Sequence, residues 1–254
     1  YSIGGNATFN TNTVIALNGG QNILDGYVGN QGATTNTDIG HPVGSFYVLK
    51  QIGVFNSDLD AANYVDKNGV QIQPNAHAGD FKYLDAKGSG PIDINKDRVF
   101  MGSYQPKVYY GINGSIKYKN WDISLGIYGN AGNQVYNGKR GARYTGTDNI
   151  EKALVYNRWT PANLTQSQPA ANGGNLPASS YFVESGSYVR INNVTIGYTF
   201  PATVLQRLKI SSLRVFATSQ NPYTYKKYSG FTAELPGGPT NSGIELSTYP
   251  TTRT

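Results

Sequence analysis

The sequence predicts an all-β chain that forms part of a large antiparallel transmembrane β-barrel with long extracellular loops. Three observations carry that prediction. Segments of strictly alternating apolar and polar residues are long enough to cross a membrane as tilted strands. The connections between them alternate between very short and very long. The composition, with 31 Gly and with 20 Tyr against 9 Phe and 2 Trp, also fits, since tyrosine favours the membrane–water boundary.

The clearest element is KVYYGINGSIKYKNWDISLGIYGN. Val108, Tyr110, Ile112, Gly114, Ile116 and Tyr118 alternate with Tyr109, Gly111, Asn113, Ser115 and Lys117. After a tight turn at Lys119–Asn120, Trp121, Ile123, Leu125 and Ile127 alternate with Asp122, Ser124, Gly126 and Tyr128. Period two on both arms predicts a β-hairpin with one apolar and one polar face. Each arm has about the nine to eleven residues of a tilted membrane strand. A soluble sandwich would show the same alternation over shorter runs.

A third strand is expected from Tyr188 to Phe200, with Val194, Ile196, Tyr198 and Phe200 on one face and Thr195, Gly197 and Thr199 on the other. Val189 and Ile191 have the opposite parity, which predicts a bulge near Asn192–Asn193 or a strand end outside the bilayer. A fourth, SSLRVFATSQN, sets Leu213, Val215 and Ala217 against Arg214, Thr218 and Gln220. YSIGGNATFN supplies a fifth, with Ile3, Ala7 and Phe9 on one side. PATVLQRLK is expected to form one short helical turn.

The links sort themselves by length. Lys119–Asn120 and Pro201–Ser211 are short, whereas 12–106, 131–187 and 222–254 are long and rich in Gly, Asn and Pro. Such alternation matches a barrel with clipped periplasmic turns and long external loops, so the long links are expected outside the cell. Structureless links of that length are unusual in an ordinary compact domain. Five strands cannot close a barrel, for which about eight is the practical minimum. The chain is therefore expected to be one piece of a larger wall. YSIGGNATFN already reads as a strand, so Tyr1 is not expected to be the natural start of the protein.

Composition narrows the function. Mean hydropathy is −0.42, and no apolar run approaches the length of a membrane helix. A soluble secreted β protein is the alternative that hydropathy alone leaves open. Without cysteine there is neither a disulfide framework nor a thiolate metal site. The net charge of +6 is modest and scattered, which argues against a nucleic-acid partner. Lys139, Arg140 and Arg143 form the one local basic cluster, explained equally by a solvated loop or an anionic ligand. His41 and His77 have no second ligand at metal spacing, and no nucleophile-elbow, zinc-protease or P-loop motif occurs. Asp58 and Asp60 lie in a polar loop and read as capping or solvated residues. Enzymatic activity is not expected.

GDFKYLDAKGSGPIDINKDR, from Gly79 to Arg98, has the skeleton of a calcium loop: Asp85, Gly90, Ile92 and Asp93 fall at the positions of D-x-[DN]-x-[DN]-G-x-I-D. Asp85 and Asp93 would give carboxylate oxygens, Ser89 a hydroxyl, Pro91 a backbone carbonyl, and Asp97 a further carboxylate. Lys87 and Ser89 stand where oxygen ligands are usual, and no bidentate Glu closes the loop. A glycine-rich turn held by hydrogen bonds is the favoured reading, and a weakly bound structural calcium is the other.

Several phrases together resemble the C-terminal barrel portion of SusC/RagA-family TonB-dependent outer-membrane transporters from Bacteroidetes-type bacteria. They are GDFKYLDAKGSGPID, MGSYQPKVYYGINGSIKYKNWDISLGIYG, YNRWTPAN, SSYFVESGSYVRINNVTIGYTFP and LRVFATSQNPYTYKKYSGFTAE. Their order and spacing over roughly Gly79 to Arg253 carry the resemblance, and VGSFYVLKQIGVF is compatible with it. In that family's loop Asp97 would come one residue late. The plug, the TonB-contact segment, most barrel strands and the final strand of the family are not among these residues, so the chain is expected to be a fragment, a subunit completed by other chains being the alternative.

The resemblance implies TonB-dependent uptake of a bulky nutrient, oligosaccharide or peptide, at the cell outer membrane. Its implied partners are outer-membrane lipid, a SusD-like surface lipoprotein and, through the N-terminal part of the family, an inner-membrane TonB complex. Strand parity puts Tyr109, Asn113, Ser115, Asp122, Ser124, Thr195 and Arg214 on the polar, lumenal face. Tyr110, Tyr118, Trp121 and Tyr198 are expected as interfacial anchors. Tyr144, Tyr156, Trp159, Tyr181, Tyr223, Tyr225 and Tyr228 fall in the external links. There, flat rings either stack on a ligand or hold the loops together, the latter being favoured; Tyr144, Trp159 and Tyr181 are the ligand candidates. The alternative function is a structural or adhesive barrel that scaffolds surface partners without transport, and a soluble carbohydrate-binding sandwich is a third.

Overall fold

The computed structural model describes residues 1–143, 151–171 and 176–246. The chain opens with β1 (Ser2–Phe9) and passes through six short strands: β2 (Ile23–Tyr27), β3 (Ala33–Thr37), β4 (Ser45–Leu49), β5 (Gln51–Val54), β6 (Phe81–Tyr83) and β7 (Arg98–Ser103). Then β8 (Val108–Tyr118) and β9 (Trp121–Ala131) make the hairpin. Next come β10 (Gln134–Tyr136), β11 (Val183–Ser185), β12 (Tyr188–Thr199) and β13 (Arg214–Lys226). The long strands form one antiparallel sheet in the order β1-β8-β9-β12-β13. Each long strand therefore pairs with the next long strand in the chain, the up-and-down connectivity of a barrel wall.

The register makes two chemically distinct faces, because opposed residues in an antiparallel pair point to the same side. One carries the rows Ile112–Ile127–Ile191–Tyr223, Ile116–Ile123–Ile196–Ala217 and Tyr118–Trp121–Tyr198–Val215. The other carries Ser2–Ser115–Ser124–Thr195–Thr218 and Asn113–Gly126–Asn193–Gln220. Both faces are open over much of the sheet, the apolar one included: Ile112 is 47% exposed, Ile116 51% and Trp121 53%, while Asn113, Ser115 and Thr218 on the polar face are exposed too. An apolar face of this extent is out of place on a soluble monomer and fits lipid.

Asn192 interrupts the register between Ile191 and Asn193, so Val189 and Ile191 return to the face of Val194 and Ile196. A second irregularity faces it, since Asn221 takes a φ of 50° just before Pro222. Proline has no amide to donate, and a bulge is where a strand tolerates it. β13 continues past that bulge to Lys226, so Tyr223 and Tyr225 lie on the strand and not in the external link that Pro222 was expected to open. With Tyr110 they mark one end of the apolar face, as Tyr118, Trp121 and Tyr198 mark the other.

At the Tyr118 end, the links are the two residues Lys119–Asn120 and a short turn made of one helical turn (Ala202–Leu205) and a 3-10 turn over Gln206–Leu208. The long links all leave from the opposite end. They are not structureless. They fold into a sheet of order β2-β3-β4-β7, the pairs β5-β6 and β10-β11, and short helices including one at Gly138–Arg143. The buried core lies in this layer and not in the barrel sheet. One cluster joins Val28, Phe46, Val48, Tyr136 and Phe182, and a second joins Leu49, Val54, Phe81, Tyr83 and Trp159. A third seats Val135, Tyr228, Ala233 and Leu235 against Tyr188 at the strand end. No described helix is long and apolar enough to cross a membrane.

Candidate functional site: the barrel wall and its mouth

On the polar face, the residues singled out by parity come together as a strip of uncharged Asn, Ser and Thr, with the Asp122–Arg214 ion pair near the short-turn end. Ser115 opposes Ser124, Ser124 opposes Thr195, and Thr195 opposes Thr218, the last two hydroxyls being 2.9 Å apart. Asn113 lies one step along with Asn193, and together with Ser115 and Ser124 they line a shallow recess of about 380 Å³. Near the short-turn end Arg214 reaches from β13 across β12 to Asp122 on β9. Its Nε and a terminal nitrogen donate to the two carboxylate oxygens at 3.0 and 2.6 Å. Gly197 lies beneath that bridge. A Cβ there would stand 2.7 Å from Asp122 Oδ1, so the pair exists because this position carries no side chain.

At the other end of the same face, a segment of the outer layer is pinned to the wall. Glu234 accepts hydrogen bonds from the hydroxyls of Tyr188 (2.6 Å) and Tyr128 (3.0 Å) and pairs with Arg190 at 2.5 Å. Arg190 is 5% exposed and also donates to Thr224 Oγ1 at 2.8 Å. Burial opposes the charge on Glu234, but the two hydroxyls and the guanidinium outweigh it and hold its pKa below the ordinary value. Tyr104 adds a second pin, its hydroxyl donating to the Leu235 carbonyl and accepting from the Leu235 amide. None of Tyr128, Tyr188, Arg190 or Glu234 was singled out from the sequence as a group. The available signal was an arginine at a polar-parity position of an otherwise neutral strand, and an acid shortly after the Tyr-Ser-Gly phrase.

The basic cluster turns out to be internal. Arg140 pairs with Glu151 at 2.8 Å and Glu184 at 3.5 Å and donates to Ser229 Oγ at 2.9 Å, while Lys139 pairs with Glu151 at 3.4 Å. Glu184 also accepts from the Ser229 amide and hydroxyl and from Asn137. Burial disfavours the Arg140 charge, and the bond to Glu151 more than restores it, so its pKa rises. These two cations join separate segments of the layer, and neither is solvated nor free for an anion. The Arg143 side chain lies outside the described residues.

The calcium-type loop is closed by its own backbone. Asp85 accepts from the amides of Gly88 (2.7 Å), Ser89 (3.3 Å) and Gly90 (3.4 Å). Asp97, fully buried, accepts from the amides of Lys87 (3.1 Å) and Asp93 (2.9 Å). Asp93 takes the amide of Asn95 and the ammonium of Lys96. Among the described residues no three His, Asp or Glu side chains gather where they could hold a metal. Asp85, Asp93 and Asp97 thus accept hydrogen bonds from the loop's own amides, and Ser89 and Pro91 lie within the same turn.

Of the ligand-candidate aromatics, Trp159 is 8% exposed and packed with Phe81 and Tyr83. It lies over Gly79, where a Cβ would stand 2.6 Å from the indole. Tyr181 packs on Phe81 with ring centres 4.8 Å apart and the planes tilted by 53°, and its hydroxyl donates to Gln168. Both pack within the layer, Trp159 buried and Tyr181 partly buried. Tyr144 lies outside the described residues. Tyr228, buried, has its phenol pKa pushed up by burial and by the nearby Glu245 charge.

Comparison with known proteins bears on the same architecture. No protein-family model matches the chain. It is 31% identical over 220 residues to the TonB-dependent receptor P26 of Formosa agariphila, covering 84% of this chain and 21% of that protein. It is 27% identical over 256 residues to the TonB-dependent receptor SusC of Bacteroides thetaiotaomicron, covering 96% of this chain and 22% of that protein. Its fold superimposes on the solved RagAB peptide transporter with a TM-score of 0.71 at 20% identity, over 99% of this chain and 26% of the other. The chain belongs to the SusC/RagA family of TonB-dependent transporters. It spans about a fifth of the length of the curated relatives it matches. The five long strands are part of the family's large antiparallel outer-membrane barrel. The outward apolar face, which no soluble sandwich explains, is then the lipid face.

Proposed function

We propose that the chain supplies wall and external mouth to an outer-membrane importer of a bulky nutrient, a peptide or an oligosaccharide. Residues 12–106, 131–187 and those from the end of β13 onward face the outside of the cell, and the short turns face the periplasm. A SusD-like lipoprotein covers the mouth, and a TonB complex drives release through parts of the family that lie beyond these residues. Supporting this reading most directly is the five-stranded sheet that is apolar on one side, neutral and polar on the other, with every long link at one end. A strip of Asn, Ser and Thr hydroxyls and amides suits passage of uncharged polar groups without trapping them, and the Asp122–Arg214 pair beside it is satisfied internally. The chain's own residues perform no bond chemistry in this role.

The test is uptake by cells carrying the full-length protein, measured with labelled peptide and labelled oligosaccharide mixtures. Uptake that disappears with the gene, and again when TonB is removed, is the expected result. Cells that bind the same mixtures at their surface but accumulate none, with TonB present, would replace the importer with a surface scaffold.

A further inference from the structure

The short-turn end of the wall has a charge distribution unlike the rest of the molecule. Of the 15 acidic residues, only Asp122 falls within Lys117–Asp122 or Thr199–Arg214, and it is taken by Arg214. The same two stretches hold Lys117, Lys119, Arg207, Lys209 and Arg214. Lys119, Arg207 and Lys209 are exposed and, among the described residues, have no acidic partner. In the outer layer Lys139 and Arg140 are paired and buried, while the exposed Lys67, Lys87 and Lys152 lie within two residues of Asp66, Asp85 and Glu151, so it is the lack of nearby acids and not exposure that marks these three cations.

Their surroundings are equally specific. Lys119 is at the apex of the β8–β9 turn with a φ of 53°, its ammonium 5.4 Å from the Tyr118 ring centre. Trp121 and Tyr198 pack at 4.8 Å, and Tyr198 packs on Phe200 at 5.1 Å, forming an aromatic row along the edge of the lipid face. In the neighbouring turn Leu205 is buried and anchors it, while Val204, Ile210 and Leu213 are exposed beside Arg207 and Lys209. A recess of about 450 Å³ opens between the two turns, lined by Lys119, Trp121, Phe200 and Arg214 among others. Exposed aliphatic side chains next to aromatics and unpaired cations suit a bilayer interface, where the apolar groups enter the acyl region and the cations meet phosphate.

We propose that this end binds anionic phospholipid, with Lys119, Arg207 and Lys209 as its headgroup contacts and Trp121, Tyr198 and Phe200 as its depth anchors. An acidic protein would match the charge, but it would gain nothing from the exposed apolar side chains of Val204 and Ile210 that flank Arg207 and Lys209 in the chain. The inference needs the barrel to sit in a membrane and does not need it to transport.

The experiment places the full-length protein in nanodiscs of phosphatidylcholine mixed with phosphatidylglycerol and measures, by mass spectrometry, the lipids that remain bound on gentle release. Wild type is expected to retain phosphatidylglycerol in excess, with the excess declining as salt is raised. In the variant K119Q/R207Q/K209Q that excess falls by about tenfold or more, since each cation near a charged surface is worth about fivefold. A charge-matched variant of the outer layer, K67Q/K87Q/K152Q, keeps the wild-type excess. Heat-modifiable mobility on gels checks that each variant holds a folded barrel. Equal retention in wild type and the first variant overturns the proposal. So does an excess that the outer-layer variant alone removes, or one that an acidic peptide displaces while the protein stays in the disc.

Discussion

Replacing Glu234 by Gln keeps the side chain's shape and removes its charge where the outer layer is pinned to the mouth of the wall. Arg190, almost fully buried, would then lack its counter-charge, and the Tyr128 and Tyr188 hydroxyls would compete for a weaker acceptor. Stranding one member of a fully buried pair costs about 3–5 kcal/mol. The Glu234 side chain is 31% exposed, so water makes up part of the loss and about 2–3 kcal/mol is expected. That corresponds to about a 30- to 150-fold rise in the population in which the segment has opened. Amide hydrogen exchange of the full-length protein reads this directly: peptides covering 228–246 should exchange faster by that factor, while those of β8 and β9 stay as they are. R190Q should have a similar effect, and the double variant should cost much less than the sum of the two. Unchanged exchange in 228–246, or strict additivity, would refute the pinning argument. The sign with pH follows from the lowered carboxyl pKa. The contribution is fully present above the ordinary glutamate value of 4.5 and is lost as pH falls through the lower folded value, so wild-type protection should fall in acid and that of E234Q should not follow it.

Three further outcomes are expected. Gly79→Ala sets a Cβ 2.5 Å from Ala170 and 2.6 Å from the Trp159 ring at a φ of 88°, and should destabilise the outer layer by about 2–4 kcal/mol, measured by urea melts of the layer's near-ultraviolet signal. Gly197→Ala should cost about 1–2 kcal/mol by forcing Asp122 from Arg214, and the penalty should shrink when Asp122 is already Ala; equal penalties in both backgrounds would contradict the bridging geometry. Millimolar calcium should leave the melting temperature unchanged, because the loop carboxylates are occupied by amides; a rise of several degrees would restore calcium as a ligand.

What could be read from sequence was what period two encodes. The β8–β9 hairpin, its two-residue turn and the bulge at Asn192 all follow from parity, since a half-buried strand must keep one face apolar. Parity also brought Asp122 and Arg214 to one face, although not the gap at Gly197 that lets them meet. Pro222 misled, because a proline inside a strand reads as its end unless the bulge at Asn221 is known. The outer layer was hidden for a different reason. Its strands are of three to six residues and take their stability from contacts far along the chain, as when Glu184 reaches Arg140 and Ser229. No local pattern records such contacts, so Lys139 and Arg140 could be read only as a solvated loop or an anion site, and for Trp159 loop packing was favoured without the partners that supply it. Asp97 shows the same limit: one residue out of place for a calcium loop, it is in the right place to accept the amides of Lys87 and Asp93.

Single cysteines replacing Ser115 and Ile116, adjacent on β8, test the two-faced wall most directly. In the full-length protein in bilayers, a charged, water-soluble maleimide should modify S115C readily and leave I116C untouched, while a lipid-borne quencher should reach a fluorophore at 116 and not at 115. If both cysteines react alike with the soluble reagent, the apolar face is not against lipid and the barrel-wall account fails.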